Sequence, residues 1–233
     1  MFGRSLTLFR LFGFHVQADM SWLVLAFLIT WSLATGYFPF AFENLPPSLY
    51  WWMAVVGAAG LFASLIFHEL AHSLVARRFG IPIKGITLFI FGGVAHMEEE
   101  PPSPKSEFLM AVAGPLASLL LATAFYAVGE SGKILGWPEP LTGIAGYLSF
   151  INVVLVIFNM VPAFPLDGGR VLRAALWAWK GDLRWATRLA SWFGSGFGIM
   201  LMVLGALLIV AIILLRIYDE IKLGNQAKMG KKR

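Results

Sequence analysis

Four predominantly apolar stretches dominate this sequence, and each is long enough to cross a lipid bilayer as a helix. A hydrocarbon core requires about 20 apolar residues per helix. The four stretches, and a fifth apolar run, cover roughly residues 20 to 38, 50 to 77, 108 to 128, 141 to 161 and 189 to 215. Because 58% of the 233 residues are hydrophobic and only 13% are charged, the composition lies far from that of soluble domains. The sequence therefore predicts an all-α polytopic membrane protein.

The last apolar run leaves the number of spans open between five and six. A single crossing by residues 189 to 215 places the basic C-terminal residues outside, against the tendency of Lys and Arg to stay cytoplasmic. A hairpin of two short spans restores that tendency, although Arg216, Asp219 and Lys222 then lie in or near the last span. We expect five to six transmembrane helices, with six slightly preferred.

The distribution of basic residues predicts on which side of the membrane each segment between the spans lies. Those near span ends are Arg4, Arg10, Arg77, Arg78, Arg170, Arg173, Lys180, Arg184 and Arg188. Segments 39 to 49 and 129 to 140 contain Lys133 as their one basic residue. The positive-inside bias therefore predicts a multi-pass protein of the cell membrane, with its N-terminus and site side facing the cytoplasm. We expect contact with membrane lipid and none with nucleic acid, and we interpret residues 1 to 13 as an interfacial segment.

The segment between the second and third stretches is too polar and too interrupted to cross the bilayer. Within it, residues 86 to 91 are rich in β-formers and end at Gly92 and Gly93, which predicts a small membrane-associated strand or hairpin. Such backbone is tolerated at membrane depth only where protein covers it. Residues 98 to 102 form an acidic loop that is more simply a solvated linker than a metal or substrate site.

The second apolar stretch contains the pattern H-E-x-x-H at His68, Glu69 and His72. At about 100° per residue on a helix, the two histidines lie about 40° apart and all three side chains share one face. Two imidazoles can then bind one ion while the carboxylate reaches a water on that ion. Ionisable groups in hydrocarbon are costly unless they face a cavity and bind something. We therefore favour a metal site over polar side chains that merely hydrogen-bond between helices.

Zinc takes three protein ligands in catalytic sites and leaves one position for water. The sequence contains no cysteine, so the ligands must come from His, Asp or Glu. Asp167 is the best third candidate, because Pro162 and Pro165 break the fourth span just before it. The alternative is that Asp167 caps a helix over residues 170 to 179. Beside a membrane-embedded histidine pair we expect the ligand role, with one Zn²⁺ per chain.

These motifs together resemble the site-2 protease family of intramembrane zinc metalloproteases, in its compact prokaryotic branch. The resemblance rests on His68-Glu69-Leu70-Ala71-His72, Gly92-Gly93, Ala113-Gly114-Pro115, Asn159, Pro162, Pro165 and Asp167-Gly168-Gly169. It implies a zinc metalloendopeptidase that hydrolyses a peptide bond within or near a transmembrane helix, as in regulated intramembrane proteolysis. The implied partner is a transmembrane protein substrate such as an anti-sigma factor or a membrane-tethered transcription factor. We expect residues 1 to 233 to form a single intramembrane metalloprotease domain, with no soluble regulatory domain.

For such an enzyme, Glu69 is the expected catalytic acid and base, taking a proton from water and returning it to the leaving amine. Residues 86 to 91 are expected to hold an unwound substrate by strand addition, with Gly92, Gly93 and Asn159 also contacting it. For Asn159, a hydrogen bond that braces the broken helix is an equally simple role. Two other functions stay open, a metal-ion or proton transporter and a non-catalytic membrane scaffold.

Overall fold

Helices dominate the computed structural model, which describes residues 5–89, 92–97 and 100–230. Within these residues, five helices are long and apolar enough to span a membrane. They are Met20–Ala41, Pro47–Arg78, Pro104–Ile134, Glu139–Asn159 and Leu183–Arg216. The first four coincide with the predicted stretches, and the predicted class of polytopic all-α membrane protein is confirmed.

A hairpin of two strands, β1 (Ser5–Leu11) and β2 (Phe14–Asp19), precedes the first span. The chain reverses at Phe12 and Gly13, both with positive φ, and the two strands pair antiparallel. Asp19 ends β2 and caps the next helix, because its carboxylate accepts from the backbone N–H of Ser21 at 2.9 Å. Residues 5–11 of the predicted interfacial segment therefore form a strand. Its neighbour β2 also pairs with a strand far along the chain, which local sequence patterns do not reveal.

That distant partner is β3 (Ile83–Phe89), which runs parallel to β2 and forms an antiparallel hairpin with β4 (Gly92–Met97). The sheet order is β1-β2-β3-β4, so the predicted small β element between the second and third spans is confirmed. Because β3 is paired on both sides, strand addition to residues 86 to 88 is excluded. The two edge strands of the sheet are β1 and β4. Ile90, Phe91, Glu98 and Glu99 lie outside the described residues.

The spans begin and end at recognisable signals. The first comprises α1 (Met20–Ser32), a π-helical turn (Leu33–Tyr37) and α2 (Phe38–Ala41). Proline opens the next three helices, α3 (Pro47–Arg78), α4 (Pro104–Ile134) and α5 (Glu139–Asn159), where its missing N–H costs nothing. Their main cluster of buried residues comprises Leu33, Ala34, Phe38, Met53, Ala54, Ala58, Phe62, Tyr147 and Leu148.

Helices α3 and α5 pack closely because glycines lie where they meet. A Cβ on Gly57 would touch the ring of Tyr147, and one on Gly60 would lie 2.6 Å from a methyl carbon of Leu148. Small residues at helix contacts let backbones approach closely in membranes.

The C-terminal part consists of two helices, α6 (Asp167–Lys180) and α7 (Leu183–Gly230). Helix α6 begins three residues earlier than expected. Helix α7 is continuous, so the hairpin of two short spans is not formed and the described residues contain the lower of the two expected numbers of spans. The glycines within α7 are helical. No proline follows them that would break the helix and let the chain reverse into a hairpin.

Candidate metal centre

Three side chains meet at one point between α3, α4 and α6. His68 and His72 project from α3, and Asp167 projects from the first turn of α6. Oδ2 of Asp167 lies 3.1 Å from Nε2 of His68 and 3.2 Å from Nε2 of His72, and the two Nε2 atoms lie 3.1 Å apart. All three residues are buried. The structure thus brings together the three ligands that the sequence predicts.

Asp167 reaches the histidines because the chain folds tightly after the fourth span. In this loop Ala163 donates its N–H to the carbonyl of Val161 at 2.7 Å, and the Phe164–Pro165 peptide is cis. Leu166 is the N-cap of α6, so Asp167 is its first residue and does not cap the helix itself. The alternative role as an N-cap is therefore not observed.

The two glycines after Asp167 serve close packing. A Cβ on Gly168 would collide with the backbone of Met160, and one on Gly169 with the backbone of Phe164. Both glycines are helical and belong to the first turn of α6. Their missing side chains allow α6 to lie directly against the preceding loop.

Helix α4 orients both imidazoles without supplying a ligand. Nδ1–H of His72 donates to the backbone carbonyl of Met110 at 2.6 Å, and Nδ1 of His68 lies 2.9 Å from the hydroxyl of Ser118. Gly114 faces the same point, where a Cβ would collide with Nε2 of both histidines. The Ala-Gly-Pro motif of the third span therefore leaves room for the site.

The donor set and its spacing fit a zinc ion. A carbonyl only accepts, so Nδ1 of His72 carries the proton and Nε2 of the neutral ring is free to bind a metal. Ligands about 2.0 Å from a tetrahedral zinc lie about 3.3 Å from one another, close to the separations observed here. Asp167 offers the third donor atom, Oδ2, which lies 3.1 Å and 3.2 Å from the two Nε2 atoms.

Glu69 lies beside this group on α3. It is half-buried, and it interacts electrostatically with His72, His68, Asp167 and Arg170. No ligand role is needed for it, because the other three residues already complete the set.

The remaining predicted residues lie in different surroundings. Asn159 ends α5, where its side-chain N–H donates to the carbonyl of Leu155 at 3.0 Å, as expected for bracing of the helix end. Gly92 and Gly93 begin the edge strand β4, paired with Phe89 and Leu88 of β3.

Two buried polar groups were not predicted from the sequence. Glu107 on α4 pairs with Arg173 on α6, and Asn152 on α5 donates to the hydroxyl of Ser64 on α3 at 3.0 Å. The sequence feature that could have revealed them is an acid or an amide within a membrane-spanning helix, where polar side chains are rare unless they have a partner. The sequence gives no indication of which partner each one has.

Comparisons with known proteins identify similarity to one family of metalloproteases. The model of Peptidase family M50 matches residues 56–136 and 136–205. A putative zinc metalloprotease Rip3 of Mycobacterium tuberculosis is 40% identical over 201 residues, covering 86% of this chain and 51% of that protein. A putative zinc metalloprotease of Synechocystis is 39% identical over 203 residues, covering 87% and 52% respectively. The chain thus spans about half the length of these curated relatives.

A solved structure shares the fold. The site-2 protease from Methanocaldococcus jannaschii superposes with a TM-score of 0.59 at 28% identity, over 88% of this chain and 86% of that one.

Proposed function

This chain belongs to Peptidase family M50, and from that premise we propose that it is a zinc metalloendopeptidase acting on peptide bonds within or near transmembrane helices. The observation that carries the proposal is the buried triangle of His68, His72 and Asp167, with Glu69 adjacent on a membrane-spanning helix. Three ligand atoms within 4.8 Å of one another suit one metal ion. A transporter requires no acid next to the first histidine, whereas hydrolysis requires one there.

In the proposed reaction His68, His72 and Asp167 would hold a zinc ion, and that ion would supply Lewis acidity to water and to the carbonyl of the scissile bond. Glu69 accepts a proton from the attacking water and delivers it to the departing amine nitrogen. Met110 and Ser118 keep the two imidazoles turned so that each Nε2 faces the ion. Orientation of this kind also raises the basicity of a histidine ligand.

The substrate requires an unwound stretch, because helical hydrogen bonds shield its peptide carbonyls. We assign the binding of that stretch to the edge strand β4, beginning at Gly92 and Gly93, since an edge strand offers unpaired backbone groups. Asn159 lies at the end of the span that leads to Asp167, where its amide can contact the substrate backbone. An Asn159→Ala variant should raise KM without loss of zinc. A fall in thermal stability with unchanged KM would assign Asn159 to bracing of the helix end alone.

The side of the membrane and the kind of substrate follow from charge and family. Arg77 and Arg78 at the C-terminal end of α3, together with the basic residues along α6, support a cytoplasmic site side under the positive-inside bias. The proposed substrates are membrane proteins such as an anti-sigma factor or a membrane-tethered transcription factor. Cleavage near the cytoplasmic surface would release their soluble parts.

The decisive experiment compares the wild type with Glu69→Gln and Asp167→Ala, measuring zinc content and cleavage of a model transmembrane substrate. Glu69→Gln should keep zinc and lose cleavage by about 10²-fold to 10⁴-fold, the usual contribution of a general base. Asp167→Ala should lose both zinc and cleavage. Chelation should abolish wild-type cleavage, and added zinc should restore it.

Matched controls are Glu130→Gln, which removes an exposed acid on α4, and Asp182→Ala, which removes an exposed acid before α7. Both should cleave like the wild type. Full activity of Glu69→Gln would refute the mechanism. If the protein carries metal ions across the membrane of proteoliposomes but cleaves no substrate, its function is transport and not hydrolysis.

A further inference from the structure

A buried ion pair joins the two helices that frame the metal site, and the proposed reaction does not use it. Glu107 in the first turn of α4 is fully buried, and its Oε1 accepts from Nε of Arg173 at 2.6 Å and from Nη2 of the same guanidinium. Nε of Arg170 lies 3.9 Å from that oxygen, and Glu100 lies 3.8 Å from Arg173. Buried charges are costly unless well paired, so this pairing constrains how α6 lies on α4.

One face of α4 contacts both imidazoles and also the helix that carries Asp167. Glu107, Met110, Gly114 and Ser118 follow one another at spacings of three and four residues, which places them along one side of the helix. Met110 and Ser118 hold the two imidazoles, and Gly114 leaves them space. Glu107 is the member of this face that acts on the helix of the third ligand.

Asp167 depends on that helix for its position. It is the first residue of α6 and follows a proline-containing loop, and Leu166 before it makes no side-chain cap. Arg173 lies about 9 Å further along α6, at 1.5 Å per residue. The docking of α6 through Arg173 therefore sets where the Asp167 carboxylate lies relative to α3.

We propose that Glu107 is a positioning residue for the metal site: by pairing with Arg173 it fixes α6 against α4 and so places Asp167 at ligand distance from the paired imidazoles. The inference rests on the ligand set of the proposed function, and it does not require that the protein cleave a substrate.

The test measures metal binding directly. Zinc affinity is determined by competition with a chromophoric chelator, and the visible spectrum of the Co²⁺-substituted protein reports the coordination geometry. Glu107→Gln should weaken zinc binding about 10-fold to 100-fold, the usual effect of losing a residue that orients a ligand. Its Co²⁺ bands should shift or weaken, because Asp167 leaves its place. Glu130→Gln makes the same substitution in an exposed pair on the same helix and should change neither readout.

Arg173→Lys keeps the positive charge but loses the forked guanidinium, and Glu107→Asp keeps the negative charge on a shorter side chain. Each should weaken zinc binding less than Glu107→Gln does. These variants decide the question if Glu107→Gln does not fold. Wild-type affinity and an unchanged Co²⁺ spectrum in the folded variants would overturn the inference, even with lowered thermal stability. A wild type that binds metal but cleaves no substrate would refute the proposed function and leave this inference standing, whereas a wild type that binds no metal would overturn both.

Discussion

At the scale of single residues, the site depends on the absence of a side chain at Gly114 as much as on the side chains that are present. Gly114 carries no side chain at the point where the two imidazoles turn their Nε2 atoms towards Asp167. The hydrogen bonds from α4 to the ring nitrogens leave the rings little freedom to move aside. A single methyl group is therefore large compared with the space in this site.

A Gly114→Ala variant should fold and should bind zinc at least about 10-fold more weakly, because the added Cβ competes with the histidine nitrogens. Zinc content after dialysis against a chelating buffer measures the effect. Gly146→Ala is the matched control, since a Cβ there meets nothing within 4 Å. Wild-type zinc retention by Gly114→Ala would contradict the packing described here.

At the scale of elements, the loop between α5 and α6 and the first turn of α6 form one packed unit. Gly168 and Gly169 lie against the backbone of that loop, and Gly194 of α7 lies against the carbonyl of Phe164. The ring of Phe164 in turn lies 5.1 Å from the guanidinium carbon of Arg173. The third ligand is therefore held by a short helix that is fixed on several sides.

Gly169→Ala should destabilise the protein by about 1–3 kcal/mol, since backbone atoms cannot move aside as a side chain can. It should also release zinc at lower chelator concentration. Thermal unfolding in detergent, with and without zinc, measures both effects. Gly198→Ala in α7 meets nothing within 4 Å, and as a helix interior position it should be neutral or stabilised by up to about 1 kcal/mol. Equal stabilities for the two variants would argue against the packed unit.

At the scale of the whole molecule, the sheet is joined to the end of the helix that carries the two histidines. Arg77 at the end of α3 donates to the carbonyl of Phe12 at 2.9 Å, joining the β1–β2 turn to the cytoplasmic end proposed for that span. Because β2 leads into the first span and β3 follows the second, the sheet lies beside the helix that carries the histidines.

The proposed orientation can be tested cleanly, because the chain contains no cysteine. Arg78→Cys, at the end of α3, should react with a membrane-impermeant maleimide only after the cells are opened. Leu135→Cys, between α4 and α5, is exposed and should react in intact cells. The reverse pattern would place the site on the outer side of the membrane.

Local patterns were sufficient to predict the first four spans and the candidate ligands. A helix of about 20 apolar residues is recognisable from composition alone, and His68, Glu69 and His72 share a face through helical periodicity alone. The break before Asp167 was visible because proline ends helices wherever it occurs. These features depend on neighbouring residues in the chain, so the sequence by itself determined them.

Features that join distant segments were decided only by the tertiary structure. The pairing of β2 with β3, which leaves β1 and β4 as the edge strands, and the pairing of Glu107 with Arg173 both link residues far apart in the chain. The continuous α7 also departs from the preferred hairpin, because charge bias constrains sidedness but does not create a turn. Which buried group meets which partner depends on how helices pack, and packing is a property of the whole fold.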